Sequence, residues 1–360
     1  MKIVRAILFI LNVIFAIGLV LTSLAGVIAP SKSIFPSLFA FGYLPMLALN
    51  AMMIVLWLVF GRWEFLLSTV AILSRYTLVP LFIQVGGNST VPPADEHPLM
   101  VTLMTYNLHN FQGHDKTATP TDSNVCEFLT LVREHQPDIL CLQEYLPGRK
   151  VSATDSLVLM GYNHYYSTAG SPSHNPRSVV VFSKLPFTYV KGIDRTKLMV
   201  EVLKDNRRFR VCCVHMDSYQ FDDTDFEEIE KMRHGEVQES SRRTFSKVKQ
   251  TLIQHEEEWN NSLQPLIAEC SVPMVLAGDM NDIPSSFLYH KITRHLKDTY
   301  TEKGIGFSTT YDGAFPKFRI DMVFHGEGIS TLSYKRLRSK ISDHYPVLVA
   351  FELNDETTAR

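Results

Sequence analysis

Residues 275–286 read VLAGDMNDIPSS, and this stretch decides the fold. The apolar run PMVLAG (273–278) leads directly into Asp279 and Asn281, with Pro284 close behind. A continuous apolar run of this length reads as a strand buried on both faces, and the residues after it read as a turn presenting a carboxylate and an amide. Such a strand needs a covered sheet, and reactive groups gather on loops held at the ends of such strands.

The same pattern recurs outward in both directions. VTLMTY (101–106), DILCLQ (138–143), SVVVFS (178–183), KLMVEVL (197–203), FRVCCVHM (209–216), RIDMVF (319–324) and HYPVLVAFEL (344–353) are short strand-like runs. Helical patterns are expected near 122–135, with Asp122 or Ser123 as cap, near 237–270 and near 285–297. This is a strand-rich α/β domain. Asn107, Glu144, His215, Asp279 with Asn281, Asp321, and Asp343 with His344 close or follow these strands. Singly, each has an ordinary reading as a turn former, a surface carboxylate or a hydrogen-bonded core histidine. Together, at the ends of six separate strands, they point to one site.

The chemistry of that set is coherent. Glu144 and Asp343 supply carboxylates and Asn107 an amide, the oxygen donors that hard Mg²⁺ or Mn²⁺ accepts. Such an ion polarises a phosphoryl oxygen. Asp279, oriented by Asn281, is the candidate base for an attacking water. His215 and His344 are candidate donors to the oxygens on which charge develops, with Asp321 fixing the tautomer of His344 and favouring its charged form.

On these residues the chain resembles the endonuclease/exonuclease/phosphatase superfamily, the deoxyribonuclease-I-like fold, and in particular its membrane-attached bacterial members. The matching blocks are MTYNLHNF (104–111), PDILCLQEY (137–145), SVVVFSKLPF (178–187), VHMDS (214–218), VLAGDMNDIPSS (275–286), RIDMVF (319–324) and SDHYPV (342–347). The resemblance implies a four-layer α/β/β/α sandwich of two mixed sheets and Mg²⁺-dependent phosphoester hydrolysis at the strand ends. By position, Asn107 and Glu144 match the first two metal-site residues and His215 the histidine of the phosphate-binding block. Asp279 and Asn281 match the base and its companion, Asp321 the partner of the last histidine, and Asp343 with His344 the closing pair. Met216 replaces a more usual leucine, and Asn175, Pro176 and Arg177 stand where a glycine is common. Arg177 and Ser218 are candidates for contact with the substrate, Arg177 also reading as a solvated loop arginine.

The composition is split. The 360 residues are 46% apolar with a formal net charge of -2, which excludes disorder and leaves room for about two domains. Residues 1–90 carry five basic side chains (Lys2, Arg5, Lys32, Arg62, Arg75) and one acidic one, Glu64, while the other 270 carry 30 basic and 36 acidic. Five cysteines, two of them adjacent (Cys212 and Cys213), form neither a disulfide framework nor a zinc pattern. Residues 6–29 and 34–60 are charge-free apolar stretches of 24 and 27 residues, each long enough to cross a hydrocarbon core. The first is too long for a cleaved signal peptide. Residues 65–85 form a third candidate span with Arg75 at its centre, where insertion costs about 2.5–3.5 kcal/mol.

The sequence thus divides into a membrane segment (1–86), a Gly/Pro-rich linker (87–99) and a catalytic domain (100–356). Lys2 and Arg5 favour a cytoplasmic amino terminus. Three spans then set the domain outside the cytoplasm, and two would set it inside; the expected location is a bacterial inner membrane with the domain on the extracytoplasmic side. The expected activity is hydrolysis of a phosphoester, whether a lipid head group, a small phosphoester or a nucleic acid, with the bilayer as partner and no protein partner implied. The domain's net acidity weighs against a basic surface for a nucleic-acid backbone. The acidic stretch 221–230 reads as a solvated loop leading into a helix, part of an excursion (219–236) that restricts access for large polyanions. The alternatives are a nuclease acting on DNA or RNA, a catalytically idle scaffold of the same fold, and a transporter subunit in which Arg75 is a pathway residue.

Overall fold

A computed structural model describes residues 2–113, 121–146, 151–168, 178–221, 224–225, 227–228, 241–313 and 317–354. They fall into two units, and the grouping in space cuts across sequence order. One unit comprises 1–82 with Tyr219–Asn260 and Asp282–Ile292; the other comprises 83–218, 261–281 and 293–360.

The first unit is helical. Helix α1 (Lys2–Leu21) continues through a 3₁₀ turn to Gly26, and α2 (Phe35–Phe41) meets α3 (Tyr43–Val59) with a 67° bend. The 25-residue segment Lys2–Gly26 is long and apolar enough to cross a membrane, and α2 with α3 passes the same test as a bent pair. The third apolar stretch is not one α-helix. Helix α4 (Phe65–Ser74) stops with Arg75 as its C-cap, and Tyr76–Leu81 continues as a 3₁₀ helix. Pro80 accounts for the change of helix type, because in a continuous α-helix its ring would clash with the carbonyl four residues earlier and it has no N–H to donate.

Inside this bundle, buried polar side chains lie beside an apolar cluster of Ala16, Leu19, Tyr43, Ala71 and Leu78, and its outer faces are aliphatic. Asn12 Nδ2 donates to the Glu64 carbonyl (3.0 Å), Ser68 Oγ donates to Asn12 Oδ1, and Asn50 Nδ2 donates to the carbonyls of Phe15 (2.9 Å) and Met46 (2.8 Å). Arg5 Nε pairs with the buried Glu64 carboxylate at 2.7 Å. Ile3, Ile7, Ile10, Ile14 and Ile17 of α1 and Met52, Val55, Leu58 and Val59 of α3 are exposed. An outer surface of exposed aliphatic side chains is unlike that of a water-soluble bundle. The helix expected over 237–270 is Ser241–Glu258, followed by a π-helical turn (Trp259–Leu263) and a short helix, Gln264–Ala268, which Pro265 opens. Residues 229–240 lie outside the described residues, as do Asp222, Asp223 and Phe226 of the acidic stretch.

The second unit is built on strands β1 (Ile83–Gln84), β2 (Met100–Asn107), β3 (Ile139–Gln143), β4 (His164–Ser167), β5 (Val179–Ser183), β6 (Phe187–Asp194) and β7 (Lys197–Lys204). They are followed by β8 (Arg207–His215), β9 (Met274–Asp279), β10 (Lys297–Asp298), β11 (Gly306–Phe307), β12 (Asp321–His325), β13 (Ile329–Arg336) and β14 (Val347–Leu353). Two six-stranded mixed sheets run β13-β14-β2-β3-β5-β4 and β10-β12-β9-β8-β7-β6. Each contains one parallel pair, β2 with β3 and β8 with β9, ending with Asn107 opposite Gln143 and His215 opposite Asp279. The antiparallel strand β12 begins where β9 ends, with Asp321 opposite Asp279.

Alternation sets the layers. Val101, Leu103, Ile139, Cys141, Val179 and Val181 of one sheet share a core with Val200, Val211, Cys213, Val275 and Ala277 of the other. The intervening Met104, Tyr106, Leu140, Leu142, Val180 and Phe182 pack with helices α5 (Asp122–His135) and α6 (Ala153–Leu159) through Val125, Phe128, Val132 and Leu157. The fold is the expected sandwich of two mixed sheets with flanking helices. Thr121, rather than Asp122 or Ser123, caps α5 by accepting the Asn124 N–H at 3.1 Å.

The Gly/Pro-rich stretch read as a linker is pinned in place. Ile83 and Gln84 pair with Phe307 and Gly306, Asn88 N–H donates to the Lys303 carbonyl (3.0 Å), and Tyr334 N–H donates to the Asn88 carbonyl (2.8 Å). Gly278 faces a tighter constraint: at φ 150°, an added Cβ would lie 1.9 Å from the Val214 carbonyl oxygen on the neighbouring strand. Gly278→Ala should therefore destabilise the chain by about 2–3 kcal/mol or more, read as a lowered unfolding midpoint of the full-length protein in detergent. A wild-type midpoint would contradict this packing.

Candidate active site

The parallel pairs deliver the reactive groups. From one sheet come Asn107 at the end of β2 and Glu144 just after β3, where φ is 50°. From the other come His215 at the end of β8 and Asp279 at the end of β9. Asn107 joins the two sets, since its Nδ2 donates to Asp279 Oδ2 at 2.9 Å and reaches Glu144 Oε1 at 3.4 Å. Its Oδ1 accepts the His109 N–H at 3.0 Å, which fixes the orientation of the amide. His215 Nε2 lies 3.7 Å from Glu144 Oε1 and 3.9 Å from Asp279 Oδ2.

The closing pair completes the cluster. His344 Nδ1 meets Asp321 Oδ2 at 2.9 Å, leaving Nε2 3.7 Å from Asp279 Oδ2 and 4.0 Å from Asp343 Oδ1. Ser342 Oγ donates to the Asn107 carbonyl (2.7 Å) and accepts the His344 N–H (3.1 Å), tying the SDHYPV turn to the end of β2. Asn281, in the left-handed region at φ 46°, gives its N–H to Asp279 Oδ1 and its Nδ2 to the Met216 carbonyl, both at 2.9 Å. The eight core residues singled out in the sequence therefore meet. Ser218 is exposed on the loop after β8, and Arg177 lies outside the described residues.

Several participants carried no sequence signal. His109, Asn110 and Phe111 occupy the left-handed region in succession, at φ 44°, 53° and 60°. Each such residue is strained by about 1–2 kcal/mol, a cost concentrated at functional sites. The turn brings His109 Nδ1 to 3.4 Å from Asp343 Oδ1 and Asn110 Nδ2 to 3.4 Å from Glu144 Oε2, so each carboxylate gains a partner. Tyr311 stacks edgewise on His344 at 5.2 Å, and Thr310 Oγ1 accepts the N–H of Asp321 at 2.9 Å. Asn110 is the one hint in the sequence, being the residue type most tolerant of such a backbone after glycine.

The electrostatics follow from crowding acids in a largely buried cluster. Burial, with Asp343 and Asp279 adding to it, raises the Glu144 carboxyl to about 7 against the opposing pull of His344 and Asn107. Burial also raises Asp279, with Asp321 adding and His344, His215 and Asn107 opposing. For His344, burial disfavours the imidazolium, but Asp321, Asp279 and Asp343 outweigh it and hold its pKa well above the ordinary value. A carboxylate as reluctant to ionise as Glu144, among oxygen donors, is the environment a hard divalent cation relieves. Asp279, Asp321 and His344 also offer ligand atoms within 4.8 Å of one another. The 2.9 Å contact of His344 with Asp321 already occupies that ring nitrogen, so this trio is better suited to proton handling.

The chain belongs to the endonuclease/exonuclease/phosphatase family, whose model matches residues 104–344. Members of the family are hydrolases acting on phosphoester bonds and generally use divalent metal ions. A domain of unknown function matches residues 5–82. No curated protein matches the chain. Among solved structures, an endonuclease/exonuclease/phosphatase from Beutenbergia cavernae is 18% identical, with 71% of this chain and 72% of that one covered and a TM-score of 0.45. The human Nocturnin catalytic domain, solved with bound sulfate, is 17% identical, covering 74% and 100%, at a TM-score of 0.48. A truncated TDP2 from Caenorhabditis elegans is 16% identical, covering 71% and 99%, at 0.47.

The raised Glu144 pKa has a consequence for stability. A carboxyl that titrates higher folded than unfolded binds its proton more tightly in the folded state, so the metal-free protein loses stability as pH rises from about 4.5 to about 7. Glu144→Gln should flatten that slope and raise the melting temperature of the metal-free protein at pH 8 by at least about 2–4 °C. Thermal melts across pH in EDTA check this, and an unchanged slope would remove Glu144 as its source.

Proposed function

We propose that the protein is a membrane-anchored, Mg²⁺- or Mn²⁺-dependent phosphoesterase that hydrolyses a P–O bond by in-line attack of water. The observation that carries this reading is the convergence of the oxygen donors Glu144, Asp343 and Asn107 with an Asp321–His344 pair around one buried aspartate, Asp279. Glu144 and Asp343 would hold the ion, with the second lone pair of Asn107 Oδ1 beside them. Bound there, the ion supplies polarisation of a phosphoryl oxygen and offsets the charge developing on it.

The remaining steps belong to the chain. Asp279 takes the proton of the attacking water; its raised pKa makes it a stronger base than an exposed aspartate, and the Asn281 N–H keeps one oxygen fixed so that the other faces the water. His344, held as imidazolium by Asp321, and His215 donate to the equatorial oxygens. Ser218, exposed outside the cluster, is assigned to substrate contact, and Arg177, which lies outside the described residues, is kept as a second candidate. A phospholipid head group or other small phosphoester is favoured over a nucleic acid by the acidic balance of residues 91–360 and by the membrane segment.

Insertion in a membrane is supported by the bundle's exposed aliphatic faces and buried amides, which suit hydrocarbon rather than water. The Arg5–Glu64 pair sets the start of α1 beside the start of α4, and Tyr43 Oη donates to the Arg75 carbonyl at 3.4 Å beside the end of α4. Lys2, Arg5 and Arg62 thus share one end of the bundle, and the chain leaves toward residue 83 from the other. By the positive-inside bias, the catalytic domain is extracytoplasmic in a bacterial inner membrane.

The full-length protein in detergent should hydrolyse bis(p-nitrophenyl) phosphate with Mg²⁺ or Mn²⁺ and stop in EDTA. Asp279→Asn should cut turnover by about 10²–10⁴-fold while metal binding and melting temperature stay near wild type. A near-normal rate in that variant assigns the base elsewhere. Parallel assays with phospholipid vesicles and single-stranded DNA separate the substrate classes. For sidedness, alkaline phosphatase fused after residue 360 should be active in a bacterial host, while a fluorescent reporter that matures only in the cytoplasm should stay dark.

A further inference from the structure

The turn that carries Asn281 is short, and it does not end in solvent. Asn281 sits at φ 46°, and the next residue, Asp282, opens a segment packed within the helical unit. Asp282 is 3% exposed; its Oδ1 accepts the Ile283 N–H at 2.9 Å and its Oδ2 meets His255 Nδ1 at 3.3 Å. His255, 1% exposed, belongs to the helix Ser241–Glu258, and its ring meets the edge of Tyr219, which in turn packs edgewise on Phe41 of α2. The burial of both His255 and Asp282 denies the pair any substrate, so its work is mechanical.

The membrane segment closes on the same loop. Between α1 and α3 the chain makes an elbow, residues 22–41, tied at three points besides the Phe41–Tyr219 contact. Ser285 Oγ, fully buried, donates to the Ala40 carbonyl at 3.0 Å. Gly26 lies so close to the His290 ring that a Cβ there would be 2.6 Å from it. Ser31 gives its N–H (2.9 Å) and its hydroxyl (2.8 Å) to the Glu256 carboxylate, one residue from His255. A left-handed non-glycine residue persists when its surroundings over-determine it, and a buried ionisable pair is retained when its partners are held in register.

We propose that the elbow of the membrane segment is a positioning element of the catalytic centre: through Ser285 and the His255–Asp282 pair it fixes loop 280–286, and with it the Asn281 turn that orients Asp279. The inference rests on Asp279 being the base of the proposed phosphoesterase. His255 and Ser285 are positioning residues, and the membrane segment is a working part of the enzyme as well as its anchor.

The test uses the full chain in phosphatidylcholine nanodiscs with bis(p-nitrophenyl) phosphate and saturating Mg²⁺. A misplacement of about 1 Å can cost about 10²-fold in rate, so His255→Leu and Ser285→Ala should lower kcat about tenfold or more, with KM and half-saturating Mg²⁺ within about twofold of wild type. His255→Asn, which keeps a donor near the Nδ1 position, should restore most of the rate. Amide hydrogen exchange over 280–286 should quicken in the Leu and Ala variants and return toward wild type in the Asn variant. An unchanged kcat in both disruptive variants overturns the proposal even if exchange quickens, and so does a His255→Asn variant as slow as His255→Leu. If the wild type hydrolyses no phosphoester, the proposed function falls on its own; exchange then decides the brace, and unchanged exchange overturns it.

Discussion

Two parallel strands side by side must finish at the same edge of their sheet, and each sheet here has one such pair, β2 with β3 and β8 with β9. The location of the site follows from that pairing. Asn107 and Glu144 arrive from one pair and His215 and Asp279 from the other, while Asp321 opens the strand antiparallel to β9 and so starts where Asp279 ends. Side chains separated by up to 237 positions in sequence thereby meet without any one loop having to be long. The apolar runs bury both faces of every central strand, so the sheet is rigid where the polar groups leave it.

What collects at that edge is an excess of acid. Four carboxyls, Glu144, Asp279, Asp321 and Asp343, stand against three histidines, His109, His215 and His344, in a largely buried cluster, an arrangement costly unless the charges are answered. The chain answers them in three ways. Asp321 and Asp279 hold a proton on His344, neutral donors on Asn107 and the Asn281 backbone meet Asp279, and Glu144 keeps its own proton up to about neutral pH. The last device is the weakest, because a proton can be exchanged for a cation. A cation bound at the proposed site would therefore displace that proton, coupling its binding to proton release at the residue where charge is least compensated.

Much of this was legible because the central strands are continuous apolar runs, each punctuated by a polar residue. The strands that escaped the sequence reading lack that signature. β6 (FTYVKGID) is exposed along most of its length and β4 (HYYS) is four residues at a sheet edge. β13 (ISTLSYKR) alternates small polar with apolar residues and carries a register shift between Thr331 and Ser333. The site residues His109 and Asn110 were hidden for a different reason: their placement depends on three left-handed residues in a row, a conformation fixed by Glu144 and Asn107 from elsewhere in the chain. Composition located the third apolar stretch but not its break, although Pro80 was visible, because apolar character dominates a span reading and backbone geometry does not enter it. The gathering of 219–260 and 282–292 with the N-terminal helices is tertiary, and no local pattern encodes it.

The N-terminal helical segment carries more specification than a tether requires. A tether needs length and hydrophobicity, and α1 alone, about 30 Å long, supplies both. Helices in hydrocarbon gain nothing from burying one another's apolar faces, so a bundle with a defined geometry must be held by polar contacts and close approach. Asn12, Asn50, Ser68 and Glu64 provide the contacts, and Gly18 against Met46 provides the approach. Definition of that kind serves a purpose when something else is built on it. The Ser285 hydroxyl is buried where its hydrogen bond must go to the Ala40 carbonyl, and an unmet buried hydroxyl costs about 1–3 kcal/mol. The geometry of the elbow is thus written into the stability of the loop that follows Asn281.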